Sequence, residues 1–165
     1  MDDVAQWLAL NLPGEPAEAT VVHGDYKLDN VLLSPLDPGQ LVAILDWEMC
    51  ALGDPLVDLG IMLAYWSGAG TDGGTDALAT VTTRPGYLSR GELIERYARQ
   101  SGRDVSRIAF YETFALFKIA VVIQQIYVRY VRGQTRDARF APLGARVAEL
   151  AGAARARSAD AKASR

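Results

Sequence analysis

The chain has 165 residues, of which 50% are apolar and 22% charged, and a formal charge of −3 at pH 7. That length and balance suit one globular core and exclude a disordered chain. The acidic sum leaves no basic footprint, so nucleic acid is not an expected partner.

Met1-Asp2-Asp3 opens acidic with no apolar run behind it, so no signal peptide is expected. Asp2 or Asp3 is expected to cap a helix through about Leu10, with Val4, Trp7 and Leu8 on one face, and Asn11-Leu12-Pro13-Gly14 to end it. Three short apolar runs with strand character follow: Thr20-Val21-Val22, Val31-Leu32-Leu33 and Leu41 to Leu45. They surround a polar loop, His23 to Asn30, and the third delivers Asp46 at its end. Cys50 is the single cysteine, which rules out an internal disulfide, fits a reducing cytoplasm, and reads as a small buried hydrophobe.

Beyond it the pattern turns helical. Pro55 suits a helix start, with Leu56, Leu59, Leu63 and Trp66 at helical spacing, and Asp54 reads as its cap. Ser67 to Gly86 reads as a long surface loop rich in Gly, Thr and Asp. Ser89-Arg90-Gly91-Glu92 has the capping-box form, and Gly102 suits the left-handed end of that helix. Asp104 is expected to cap a long central helix to about Arg132, with Tyr111, Phe114, Phe117, Tyr127 and Tyr130 as packing residues. Its apolar stretch Phe114 to Ile123 carries Lys118 and is too short to cross a bilayer, so no membrane partner is expected. A last helix is expected over Asp137 to Leu150, and residues 153–165 as a frayed tail.

The chemistry concentrates in His23-Gly24-Asp25-Tyr26-Lys27-Leu28-Asp29-Asn30 and in Asp46-Trp47-Glu48, which begins sixteen residues after Asn30. Phosphoryl transfer from ATP needs a base near the acceptor hydroxyl, oxygen ligands for Mg²⁺ and positive charge over the moving group. A carboxylate in a rigid loop, an amide five residues on and a second carboxylate at an adjacent strand end meet the first two needs. Asp25, Asn30 and Asp46 have that spacing, whereas Glu48 reads as a residue that solvates the loop.

His23 to Asn30 resembles the catalytic loop shared by protein kinases and aminoglycoside phosphotransferases. The protein-kinase form is H-R-D-L-x-x-x-N, and Gly24 in place of the arginine points to the small-molecule branch. Ile44 to Glu48 resembles the family's metal-binding strand end, and Gly53 to Leu59 its next signature. The resemblance implies a mainly α, α+β fold: a protein-kinase-like C-terminal lobe with a small β-hairpin region carrying the catalytic loop, and a helical bundle, over residues 1–152. It implies an ATP-dependent small-molecule kinase in which Asp25 orients or deprotonates an acceptor hydroxyl and Asn30 and Asp46 hold Mg²⁺. His23 and Asp58 would brace the loop, and Lys27 stands where a lysine meets the γ-phosphate. The chain is most similar in flavour to the phosphotransferase domains found beside acyl-CoA dehydrogenases, which suggests a hydroxy acid or hydroxyacyl acceptor.

A complete enzyme of this type has an N-terminal ATP-binding lobe, and nothing ahead of His23 corresponds to it. Little turnover is therefore expected of the chain alone, which would need that lobe in cis or in trans, or would self-associate through the face left bare. Two other readings stand beside this one. The chain could be a non-catalytic binding or scaffolding module, or a metal-dependent hydrolase using Asp25, Asp46 and Asp58.

Overall fold

The structure is a computed structural model, and it describes residues 1–16, 18–66 and 81–163. It is mostly helical with two small antiparallel sheets. Helix α1 spans Asp2–Leu10 and buries Val4, Trp7 and Leu8, the apolar face its spacing predicts. Its N-cap is Met1, however, and no side chain caps it. Asp2 and Asp3 lie in the first turn, where their charge favours the positive end of the helix dipole instead.

Four strands follow, not three: β1 (Thr20–Val22), β2 (Val31–Leu33), β3 (Leu41–Ile44) and β4 (Ala51–Gly53). β2 and β3 form a hairpin in which Val31 faces Ile44, with an irregularity between Leu32 and Leu33. β1 pairs instead with β4, Val22 facing Ala51 and Thr20 facing Gly53. The β1–β4 ladder closes the segment between its strands into a loop, so the polar residues after β1 and those after β3 are brought to one place. Cys50 precedes β4 and is exposed, which corrects the expectation of burial.

Helix α2 (Leu56–Ala64) starts after Pro55 and buries Leu56, Leu59, Gly60, Ile61, Leu63 and Ala64. Of the loop expected over 67–86, positions 67–80 lie outside the described residues. Helix α3 (Arg90–Ser101) opens with the full capping box between Ser89 and Glu92 and ends at Gly102 with φ +69°, both as the sequence predicts. Asp104 accepts from the Ser106 N–H and hydroxyl, and so closes a turn rather than capping the next helix.

That helix, α4 (Ile108–Val131), has 24 residues and the length and hydropathy of a membrane-crossing segment. Here its N-terminal half packs into the core through Phe110, Tyr111, Ala115, Leu116, Ile119 and Ala120, while Val121, Val122 and Val131 further along are exposed. Its main partners are α2 and α5 (Leu143–Ala163). α5 runs past Leu150, where the sequence suggested an end, because Leu150, Ala154 and Ser158 are buried along one side of it. Arg157 on the same helix reaches Glu112 Oε2 at 3.4 Å. Burial and an ion pair thus order a stretch whose composition alone reads as a tail.

α2 and α4 approach closely enough that a side chain on Gly60 would meet the backbone of Tyr111, with an ideal Cβ 2.6 Å from its carbonyl oxygen. The obstacle is main chain and does not give way. Gly60→Ala should therefore destabilise the fold by about 1–3 kcal/mol despite a helix-propensity gain of about 1 kcal/mol. Urea unfolding measures this, and an increase in stability would contradict the close approach.

Candidate active site

The loop after β1 is fixed by its own backbone groups. His23 N–H donates to Asp58 Oδ2 at 2.6 Å and Gly24 N–H to Asp58 Oδ1 at 2.8 Å, so one carboxylate in the first turn of α2 takes two successive amides. Hydrogen bonds to an ionised acceptor are roughly twice as strong as neutral ones. Gly24 has φ +81°, and an ideal Cβ there would stand 2.5 Å from the Met49 carbonyl oxygen, so glycine is required twice over.

His23 is only 2% exposed. Its Nε2 lies 2.7 Å from the Leu45 carbonyl oxygen, which can only accept, and its Nδ1 is 3.2 Å from the Asp25 N–H, which can only donate. These partners select the Nε2–H tautomer. The ring also packs 4.8 Å from that of Trp47, whose Nε1 donates to the Ile44 carbonyl at 2.9 Å. The imidazole thereby ties the loop to the end of β3 and carries no free nitrogen toward solvent.

Asp25 Oδ2 receives Lys27 Nζ at 2.5 Å and Asn30 Nδ2 at 3.2 Å. Asn30 Nδ2 also donates to the Asp25 main-chain oxygen at 2.9 Å. This settles the amide's orientation: its nitrogen is used by Asp25 and its oxygen Oδ1 is left as an acceptor. The Leu45 N–H donates to the Asn30 carbonyl at 2.8 Å, which continues the β2–β3 pairing and sets Asn30 beside the residue that precedes Asp46. Asp46 has φ +64° and ψ +56°, the sole non-glycine residue with positive φ among the described residues. Such a conformation costs of order 1–3 kcal/mol and persists where the surroundings impose it. Its carboxylate is exposed and receives no hydrogen bond among the described residues.

The six residues singled out from the sequence therefore fall in one region, in three layers. Asp58 and His23 support the loop, Asp25 with Lys27 and Asn30 forms its polar edge, and Asp46 stands at the adjoining strand end. Asn30 Oδ1 and the Asp46 carboxylate are hard oxygen donors of the kind Mg²⁺ prefers, few in number as is usual when phosphates and water complete the shell. The donor set fits that ion. Both oxygens of Asp58 are occupied by N–H groups, and no three His, Cys, Asp or Glu side chains gather about a cation position among the described residues. An arrangement of three metal-binding aspartates thus finds no support. Glu48 is exposed, and Asp54 serves as a cap, Oδ1 accepting the Leu56 N–H at 2.9 Å and Oδ2 the Tyr111 hydroxyl at 2.6 Å.

Two residues enter the site that the sequence reading passed over. Tyr65, two turns along α2 from Asp58, lies under Lys27, whose Nζ is 5.3 Å from the ring centroid. Burial pushes its phenol up to about 12, and the nearby Asp25 and Asp29 add to this. Lys118, from α4, donates to the Gly24 carbonyl. A tyrosine at i+7 from Asp58 and a cation inside the apolar stretch Phe114 to Ile123 are the signals that could have found them.

The chain belongs to the phosphotransferase enzyme family, whose model matches residues 1–111. Within the curated proteins it is similar to acyl-CoA dehydrogenase family member 11 of Rattus norvegicus, at 33% identity over 135 residues. It is similar also to family member 10 of Mus musculus, at 32% over 140 residues. These alignments take in 81% and 84% of this chain but only 17% and 13% of the two relatives. A solved structure of a candidate aminoglycoside phosphotransferase from Ralstonia eutropha matches with a TM-score of 0.81 and 28% identity, over 96% of this chain and 48% of that one. The chain therefore spans less than a fifth of these curated relatives and about half of the solved protein.

The Tyr65 environment gives a pH dependence with a definite sign. Its folded-state value is raised above the ordinary one near 10, so the fold favours the neutral phenol. That share of stability is whole below pH about 10 and is lost as pH rises through 10 to 12. Ultraviolet titration of tyrosinate should show an ionisation step near pH 12 that Tyr65→Phe removes. An unchanged curve would refute the placement.

Proposed function

We propose that this chain is the C-terminal, catalytic lobe of an ATP-dependent small-molecule kinase with a protein-kinase-like fold. The orientation of the Asn30 amide carries the reading. With its nitrogen donating to Asp25 and its oxygen left over beside the Asp46 strand end, one side chain links a carboxylate base to an oxygen donor pair suited to Mg²⁺. When bound, the ion neutralises charge on the nucleotide phosphates, and Asn30 and Asp46 are the residues that would hold it.

The chain's own residues do the rest. Asp25 has Oδ2 occupied by Lys27 and Asn30, which leaves Oδ1 to accept the hydrogen of an acceptor hydroxyl and aim its oxygen. Lys27 supplies positive charge for an incoming phosphate, and in this structure it is held by Asp25 and the Tyr65 ring. Asp58 and His23 keep the loop from yielding as charge moves across it. Relatives named as acyl-CoA dehydrogenase family members support a hydroxy acid or hydroxyacyl acceptor.

The β2–β3 hairpin supports dependence on a second lobe. Leu28, Leu32, Leu33, Leu41, Val42 and Leu45 are each 40–62% exposed around it, apolar surface of the kind that marks an interaction site. An N-terminal lobe in cis or in trans would cover this surface, and a second copy of the chain would cover it in its absence. Leu32→Lys with Val42→Lys should then shift sedimentation of the isolated chain toward monomer. A wild-type chain already monomeric at high concentration would count against it.

Mn²⁺ can stand in for Mg²⁺ as a paramagnetic probe. Titrated with ATP, it should broaden the Asn30 side-chain amide and the Asp46 backbone amide selectively, and Asp46→Asn should reduce this by tenfold or more. Broadening that is uniform, absent, or indifferent to the substitution would reject the metal site. ATP consumption by the isolated chain in the same samples would contradict the need for a second lobe.

A further inference from the structure

Lys118 comes to the loop from far away in sequence, 94 positions from its partner. Its Nζ donates to the Gly24 main-chain oxygen and lies 3.8 Å from Met49 Sδ. Burial pulls this ammonium below the ordinary lysine value and the charge of Lys27 adds to that, while Asp25 and Asp58 oppose it. A partly buried cation gains from a hydrogen-bond partner, and here the partner is a peptide oxygen of the loop.

The other polar groups of this stretch show what the contact does. Asp58 takes the His23 and Gly24 N–H groups, His23 Nδ1 takes the Asp25 N–H, and Asn30 Nδ2 donates to the Asp25 carbonyl. The Gly24 carbonyl completes the set, and Lys118 supplies its donor. The Gly24–Asp25 peptide is thus gripped at both poles, by α4 at its oxygen and by the imidazole at its nitrogen. Glycine at φ +81° offers no side-chain resistance of its own to rotation of that peptide.

We propose that Lys118 is a positioning residue of the phosphotransfer site, which fixes the plane of the Gly24–Asp25 peptide and so the direction in which the Asp25 carboxylate leaves the loop. As a statement about phosphotransfer this rests on the role given to Asp25 above; as a statement about loop geometry it stands on the contacts alone.

The test uses the whole chain and the fact that His23 is its single histidine, so the imidazole ¹⁵N signals assign themselves. Lys118→Met keeps the length and apolar stem and removes the charge. It should speed hydrogen exchange of the Asp25 amide by tenfold or more. It should also move the His23 Nδ1 shift toward that of a nitrogen without a donor, with Leu63 and Ala115 amides in the core still protected. Equal exchange of the Asp25 amide in both proteins would overturn the proposal. A measurement on the wild type guards against a variant that fails to fold: the Gly24 carbonyl carbon shift should follow the titration of Lys118, and a shift that ignores it overturns the proposal. The two readings separate cleanly. Loop effects as expected, with Mn²⁺ broadening at Asn30 and Asp46 that is indifferent to Asp46→Asn, would remove the kinase reading and leave the geometric one. Unchanged Asp25 exchange in Lys118→Met, with the Asp46-dependent Mn²⁺ broadening intact, would remove the positioning role and leave the kinase reading.

Discussion

The carboxylate of Asp58 accepts two consecutive backbone N–H groups, and most of the candidate site depends on that pair of bonds. A buried amide without an acceptor costs about 1–3 kcal/mol, so a loop that turns its N–H groups inward needs an anchor of matching geometry. A carboxylate offers two oxygens at the spacing of adjacent amides. Its place in the first turn of α2 also sets the negative charge at the favourable end of the helix dipole. Through this anchor the position of the loop follows the position of α2. The position of α2 follows from its contact with α4, where Gly60 lets two backbones approach. Packing in the core is thereby converted into the placement of a polar loop.

Those parts of the site that were legible in the sequence are the ones whose chemistry constrains residue type at fixed short spacing. His23, Asp25, Lys27 and Asn30 fall within eight positions, Asp46 follows an apolar run that reads as a strand, and Asp58 stands at the head of one that reads as a helix. The capping box at Ser89 and the glycine at 102 were legible for the same reason, since each needs only neighbours within one turn. What stayed hidden was decided over long distances. Strand β4 is three residues long and gains its identity from β1, which no local propensity reveals. Lys118 and Tyr65 reach the loop through tertiary packing, so in sequence they look like an interruption and a core aromatic. Cys50 stood among apolar neighbours, but it sits in a segment that the β1–β4 ladder leaves at the surface.

A second polar cluster lies away from the loop and holds the helices together. Glu112, 3% exposed, receives Arg90 on one oxygen and Arg157 on the other. Burial pulls the Arg90 guanidinium below its ordinary value, and the charge of Glu112 opposes that loss. Arg90 also donates to the Leu63 and Trp66 carbonyls, the service that basic side chains give at helix C-termini. Four helices therefore meet at one carboxylate: α2 through its terminal carbonyls, α3 through Arg90, α4 through Glu112 itself, and α5 through Arg157.

That last connection bears on how this fold can be joined to other protein. A linker or fusion junction placed after Leu150 would cut away Ala154 and Ser158, which are buried, and would strip Glu112 of one of its two cations inside the core. The remaining carboxylate would then sit beside a single arginine already committed to two carbonyls. A junction placed after Ala163 respects all of these contacts. The modular unit, in the sense of what can be transplanted intact, extends through the final helix.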